Sequence, residues 1–150
     1  MHFRGLILPT AVAFAASVIF GLASPAEAAL PVKFVAAQYN SPGSDTGSNY
    51  SLNSEWVRIK NTTGRSKLLA GWKVKDNTGY TFVFPSGYRL GAGKTVTVHT
   101  GKGSNTAAHL YWKRSWYVWN NTGDKARLIT PAGSLVDSCQ WGSGSGYTSC

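Results

Sequence analysis

The sequence predicts an all-β chain folded as an antiparallel Greek-key sandwich, and three observations predict it. Apolar and polar residues alternate in short runs such as Glu55-Trp-Val-Arg-Ile-Lys-Asn61 and Thr95-Val-Thr-Val-His-Thr100. That period of two is the mark of a strand with one buried face. The runs are bounded by Gly, Asn or Pro, the residues that turns require. Beyond residue 30 no stretch reads convincingly as a helix, and the strand spacing is that of a sandwich.

Val32-Lys-Phe-Val-Ala-Ala37 reads as the first strand and Ser41 to Asn49 as a loop rich in turn formers. In the second strand, Glu55 to Lys60, Val57 and Ile59 share one face and Trp56, Arg58 and Lys60 the other. Asn61-Thr-Thr-Gly64 turns the chain. Gly71 to Lys75 follows, with Trp72 and Val74 inward and Lys73 and Lys75 outward. Thr81 to Phe84 stops at Pro85, which has no amide to donate to a ladder. Ser86 to Arg89 reads as a crossover. Thr95 to Thr100 points Val96 and Val98 inward. Leu110 to Trp112, Lys125 to Thr130 and Leu135 to Asp137 complete about eight strands. In the second of these Ala126 and Leu128 face in, Lys125 and Arg127 out. The expected core is Val57, Ile59, Trp72, Val74, Phe82, Phe84, Val96, Val98 and Leu128.

Residues 1–28 read as a secretory signal peptide. Arg4 opens it, an almost unbroken apolar run extends from Leu6 to Ala23, and Ala26-Glu-Ala28 supplies a small-x-small cleavage pattern. The alternative is a retained membrane anchor, since that run nearly reaches spanning length. No later run approaches it. Residues 30–150 then form one domain, large enough for its own core. Arg4 and Glu27 leave together, so 14 Lys and Arg stand against 5 Asp and Glu, and the formal charge stays at +9. A small exported domain this basic is drawn to polyanions, namely nucleic acid, acidic glycans or anionic wall polymers. Net charge that only maintains solubility is the alternative that composition leaves open. Cys139 and Cys150 stand 11 positions apart across a Gly/Ser-rich loop. In an oxidising compartment they are expected to form a disulfide that ties down Gly142 to Gly146.

Several motifs resolve into turns or surface positions. Gly91-Ala-Gly-Lys-Thr95 has the end of a phosphate-binding loop, but Tyr88 stands where its first Gly belongs and a strand follows where a helix is needed. Asp45 is the single acid of its loop, too few ligands for a hard cation. His99 is in phase with a surface position and His109 reads as a loop residue. The acids are scattered singly, without the pairing that acid–base catalysis needs. No catalytic residue, metal site or cofactor is expected. Lys113-Arg-Ser-Trp-Tyr-Val-Trp119 mixes cations with rings that could stack bases or sugars. Trp112 and Trp116 are expected to pack in the sandwich, leaving Tyr117 and Trp119 open for contact.

The order and spacing of these pieces resemble the lamin tail domain, the immunoglobulin-like module of nuclear lamins that also occurs in secreted bacterial proteins. The residues that carry the resemblance are Glu55-Trp-Val-Arg-Ile-Lys-Asn61, Gly71-Trp72, Tyr80-Thr-Phe-Val-Phe-Pro85, Leu90-Gly-Ala-Gly93, and Asn121-Thr-Gly-Asp124 with Ala126 and Leu128. The resemblance implies an immunoglobulin-like sandwich and a non-catalytic interaction platform. No coiled-coil rod precedes the domain here, and a signal peptide does, so neither filament assembly nor a nuclear role carries over. The expected function is a secreted, non-enzymatic binding module for an anionic partner. The alternatives are a carbohydrate-binding module using exposed aromatics, a small secreted hydrolase or nuclease, and a module that binds a protein partner. The expected anion-binding face joins Arg58 and Lys60 to Lys73 and Lys75. It rests on an antiparallel pairing of those two strands, with Lys125 and Arg127 widening it.

Overall fold

A computed structural model describes residues 30–150; the signal segment read over residues 1–28 lies outside the described residues. The strands are β1 (Val32–Gln38), β2 (Trp56–Asn61), β3 (Lys67–Leu68), β4 (Lys73–Lys75), β5 (Thr81–Val83), β6 (Arg89–Leu90), β7 (Thr95–His99), β8 (His109–Tyr111), β9 (Gly123–Ile129), β10 (Leu135–Gly142) and β11 (Tyr147–Ser149). They form a five-stranded sheet ordered β11-β1-β2-β7-β8 and a four-stranded sheet ordered β10-β9-β4-β5, with β3 and β6 pairing separately. The two larger sheets close over one core, as the alternation requires. Pairing is antiparallel except between β7 and β8, which run parallel.

The core contains eight of the nine expected residues: Val57, Ile59, Val74, Phe82, Phe84, Val96, Val98 and Leu128. Trp72 is the exception. It precedes β4, half-buried, and packs against the rim of the core. Gly71 just before it has φ 77°, and its amide donates to the Phe84 carbonyl. A side chain is strained in that conformation, which accounts for the Gly-Trp step.

Three elements depart from the sequence reading. A short helix, α1 (Asn49–Asn53), forms where none was expected, with the Ser48 hydroxyl accepting from the Ser51 amide as an N-cap. At five residues it is too short to show a hydrophobic period, so only the cap signalled it. The crossover at Ser86 to Arg89 instead ends in β6, which pairs with β3. Finally, β10 runs through Gly142, and the tail forms an additional strand, β11, on the edge of β1.

The tail is held covalently. Cys139 on β10 and Cys150 are bonded, with Cα atoms 5.5 Å apart. The bond joins the four-stranded sheet to the edge of the five-stranded one, where the Cys150 amide donates to the Val35 carbonyl. Reduction is expected to destabilise the domain by roughly 2–3 kcal/mol on a chain-entropy estimate. Its second consequence is faster hydrogen exchange across Tyr147 to Cys150. Calorimetry with and without reductant, followed by exchange on the same samples, checks both; unchanged protection of the tail would show that β11 stands without the bond.

Candidate functional site

The pairing expected between the strands of Arg58 and Lys73 does not occur. β2 lies between β1 and β7 in one sheet, and β4 lies between β9 and β5 in the other. The expected six-cation face is therefore two faces on opposite sides of the sandwich. Only residues 62–72 separate the strands in sequence, but the chain uses them to change sheets through β3.

The outer face of the four-stranded sheet keeps four of the cations. Lys75 on β4 is the direct cross-strand partner of Arg127 on β9, with Lys73 two positions along β4 on one side of that pair and Lys125 two positions along β9 on the other. They alternate with buried Val74, Ala126 and Leu128, so all four point outward. Side chains on one face of paired strands stand about 5 Å apart. Arg127 is partly committed: its guanidinium donates to the Asp76 carbonyl and to Asn77 Oδ1, at 2.8 and 2.6 Å. The three lysines carry the free charge. Arg58 and Lys60 lie on the other face, where Lys60 is the direct partner of Lys33.

The acids are placed just as unevenly. Glu55, Asp76 and Asp124 are buried. Asp76 accepts from the amides of Thr78, Gly79 and Tyr80, and Asp124 from those of Asn77, Asn120 and Lys125. Asp137, on the bulge of β10, turns to the Phe34 amide at 2.7 Å. Among the described acids, Asp137 is half-buried and only Asp45 is fully exposed. Carboxylates that cap turns inside the molecule leave a solvent-facing surface more one-sidedly positive than the net charge suggests.

Glu55 is as tightly enclosed as Asp76, each 1% exposed. Its Oε1 accepts from the Thr100 hydroxyl and from the amides of Val118 and Trp119, at 2.6, 2.9 and 3.3 Å, while Oε2 has no partner. Burial raises the carboxyl from 4.5 to about 7 and outweighs the three hydrogen bonds, which act the other way. Glu55 therefore pins the loop Lys113 to Trp119 to the start of β2.

That loop reverses the expected assignment of its aromatics. Trp119 is 3% exposed, packed edge-on against Trp112 and Trp141, so it offers no contact surface. Trp116, expected inside, is 61% exposed. Tyr117 is half-buried, its hydroxyl meeting Ser51 Oγ and the Gly47 amide. Trp112 packs against the core as expected. A loop has no period, so nothing local marked which ring turns in.

The family model of the Lamin Tail Domain matches this chain over residues 25–143. The chain belongs to the lamin tail domain family. The match spans well over half of the sequence and includes both large sheets up to the end of β10. Lamin tail domains are immunoglobulin-like interaction modules, and the sandwich here is of that kind. Glu55 opens the Glu55–Asn61 run that carries the resemblance, and the structure gives it the loop-anchoring task just described.

A second set of residues escaped the sequence reading. Tyr147, Gln38, Trp56, His99 and Tyr111 are successive cross-strand partners on the outer face of the five-stranded sheet. Trp56 did show an outward phase beside Arg58 and Lys60. What brings its neighbours beside it is strand order, which local pattern does not encode. His109 stands on β8, not in a loop, and its Nδ1 lies 2.9 Å from His99 Nε2. His99 Nδ1 is 2.8 Å from the Asn53 carbonyl, so it carries the proton and Nε2 accepts from His109. Among the described residues, no three His, Cys, Asp or Glu side chains gather into a metal site, and no helix is long and apolar enough to cross a membrane.

Proposed function

We propose that this lamin tail domain is an exported, non-enzymatic binding module for a polyanion, held through the outer face of its four-stranded sheet. One observation carries the reading: Lys73, Lys75, Lys125 and Arg127 share that face, while every described acid except Asp45 is turned inward or tied to backbone amides. Cations clustered with no acid between them repel one another unless an anionic partner occupies the surface. Nucleic acid and acidic wall polymers or glycans share the repeating anionic backbone that such a face accepts. The carbohydrate alternative through Tyr117 and Trp119 loses support because Trp119 is enclosed.

The test replaces the three lysines and spares Arg127, which also holds the turn at Asp76. Lys73→Gln, Lys75→Gln and Lys125→Gln together are expected to leave Tm nearly unchanged. Binding to duplex DNA or a polyanionic glycan should weaken, and the slope of log affinity against log salt should fall by about 3 for three lost contacts. Titration at two or more salt concentrations decides it; a triple variant that binds like the parent throughout would leave the face a solvated surface.

A further inference from the structure

The outer face of the five-stranded sheet carries a second arrangement, independent of the lysine face. The cross-strand row Tyr147–Gln38–Trp56–His99–Tyr111 spans all five strands, about 19 Å at ~4.8 Å per strand. Four of its five members are rings. Trp56 and Tyr147 meet edge to face with centroids 6.3 Å apart, and His99 lies nearly parallel to Tyr111 at 5.0 Å. His99 and His109 have centroids 5.2 Å apart with planes 25° apart, and their facing nitrogens are 2.9 Å apart. That combination places the two imidazoles edge to edge, nearly in one plane, as a flat plate. Tyr147 at one end of the row is 47% exposed, and Trp56, His99 and Tyr111 are half-buried.

Cations border the rings on the same face. The Arg58 guanidinium lies 4.4 Å from the centre of the Trp56 ring and is held there by donation to Thr97 Oγ1 at 3.1 Å. Farther along the strands Lys33 and Lys60 sit directly opposite each other. The outward positions of all five strands include no Asp or Glu side chain.

We propose that this face binds single-stranded nucleic acid, its bases stacking at the Tyr147–Trp56 end of the row and its phosphates meeting Arg58, Lys33 and Lys60. Stacking on exposed rings combined with a cationic track is the chemistry that holds unpaired strands. A duplex hides the faces of its bases and has nothing to lay on the row. An oligosaccharide would also stack, but its hydroxyls need acceptors and amides. The one carboxamide in the row, Gln38, already donates to the carbonyls of Asn40 and Gly146. Charge and ring content together therefore favour an anionic strand over a neutral glycan.

The experiment measures anisotropy of a labelled oligothymidylate of about 15 nucleotides with the parent, Trp56→Ala and Tyr147→Ala, against duplex DNA and heparin. Each ring substitution is expected to weaken oligothymidylate binding about tenfold or more and to leave heparin binding within twofold. Tyr147 lies on an edge strand, so its variant remains informative should Trp56→Ala fold poorly. The triple lysine variant, on the opposite face, should retain most of its oligothymidylate binding, which separates failure of that face from failure of this one. Three results would each overturn the proposal: a parent that does not bind oligothymidylate, a ring variant that binds it like the parent, or equal losses for heparin and oligothymidylate. A parent that binds a neutral oligosaccharide in preference to the oligonucleotide would overturn it as well.

Discussion

Replacing Glu55 by alanine is expected to remove about 4 kcal/mol of stability, much of what a domain of this size has in reserve. The side chain is 1% exposed, and the amides of Val118 and Trp119 and the hydroxyl of Thr100 all converge on its Oε1. Alanine leaves those donors enclosed without an acceptor, at ~1–3 kcal/mol each with partial relaxation. The midpoint of thermal unfolding should fall by about 15 °C. The pH dependence identifies the cause. Burial holds the folded carboxyl at about 7, above its ordinary 4.5, so the folded chain binds the proton more tightly than the unfolded one. The associated stabilisation is fully present below 4.5 and is lost as pH rises through about 7, a swing of ~3 kcal/mol. His99 acts in the opposite direction: its burial lowers its pKa below 6.5, so its contribution is present above 6.5 and is lost as pH falls. The difference between parent and Glu55→Gln removes the His99 contribution, because both proteins contain it. Glutamine retains the accepting oxygen and cannot ionise. Its stability relative to the parent should therefore improve by ~2.5 kcal/mol between pH 5 and pH 8. A pH-independent difference in paired denaturant melts would show that the parent carboxyl does not titrate in this range.

The second large effect is expected at Phe84. It is 1% exposed, with its ring 5.2 Å from Phe82 and 5.6 Å from Tyr88. Phe84→Ala should cost about 3–5 kcal/mol, the transfer of a buried ring plus the cavity it leaves. The sequence reading placed Trp72 in the same core. Because Trp72 is half-buried on the rim, Trp72→Ala should cost clearly less, about 1–3 kcal/mol. Urea melts of the two variants test the order. A larger loss at Trp72 would mean that the rim contributes more than its exposure implies.

The sequence by itself determined the phases of the strands. Val57 and Ile59 against Arg58 and Lys60, or Val96 and Val98 against His99, follow from the pleat, which is a property of neighbouring residues and needs no knowledge of the partner strand. The proximity of Cys139 and Cys150 was legible for the same reason, since a short Gly/Ser loop between them limits how far they can separate. Pairing is different in kind. β2 takes β1 and β7 as neighbours because the closed sandwich buries more apolar surface that way, a sum over residues distant in sequence. That choice divided the expected cation face in two and set Trp56 beside His99 and Tyr147's row. The loop aromatics were decided at the same level. Trp119 turns in and Trp116 out because Glu55, more than sixty residues earlier in the chain, holds the amides of Val118 and Trp119. Period and turn chemistry are local and can be read along the chain; strand partners and buried anchors exist only once the chain has closed on itself.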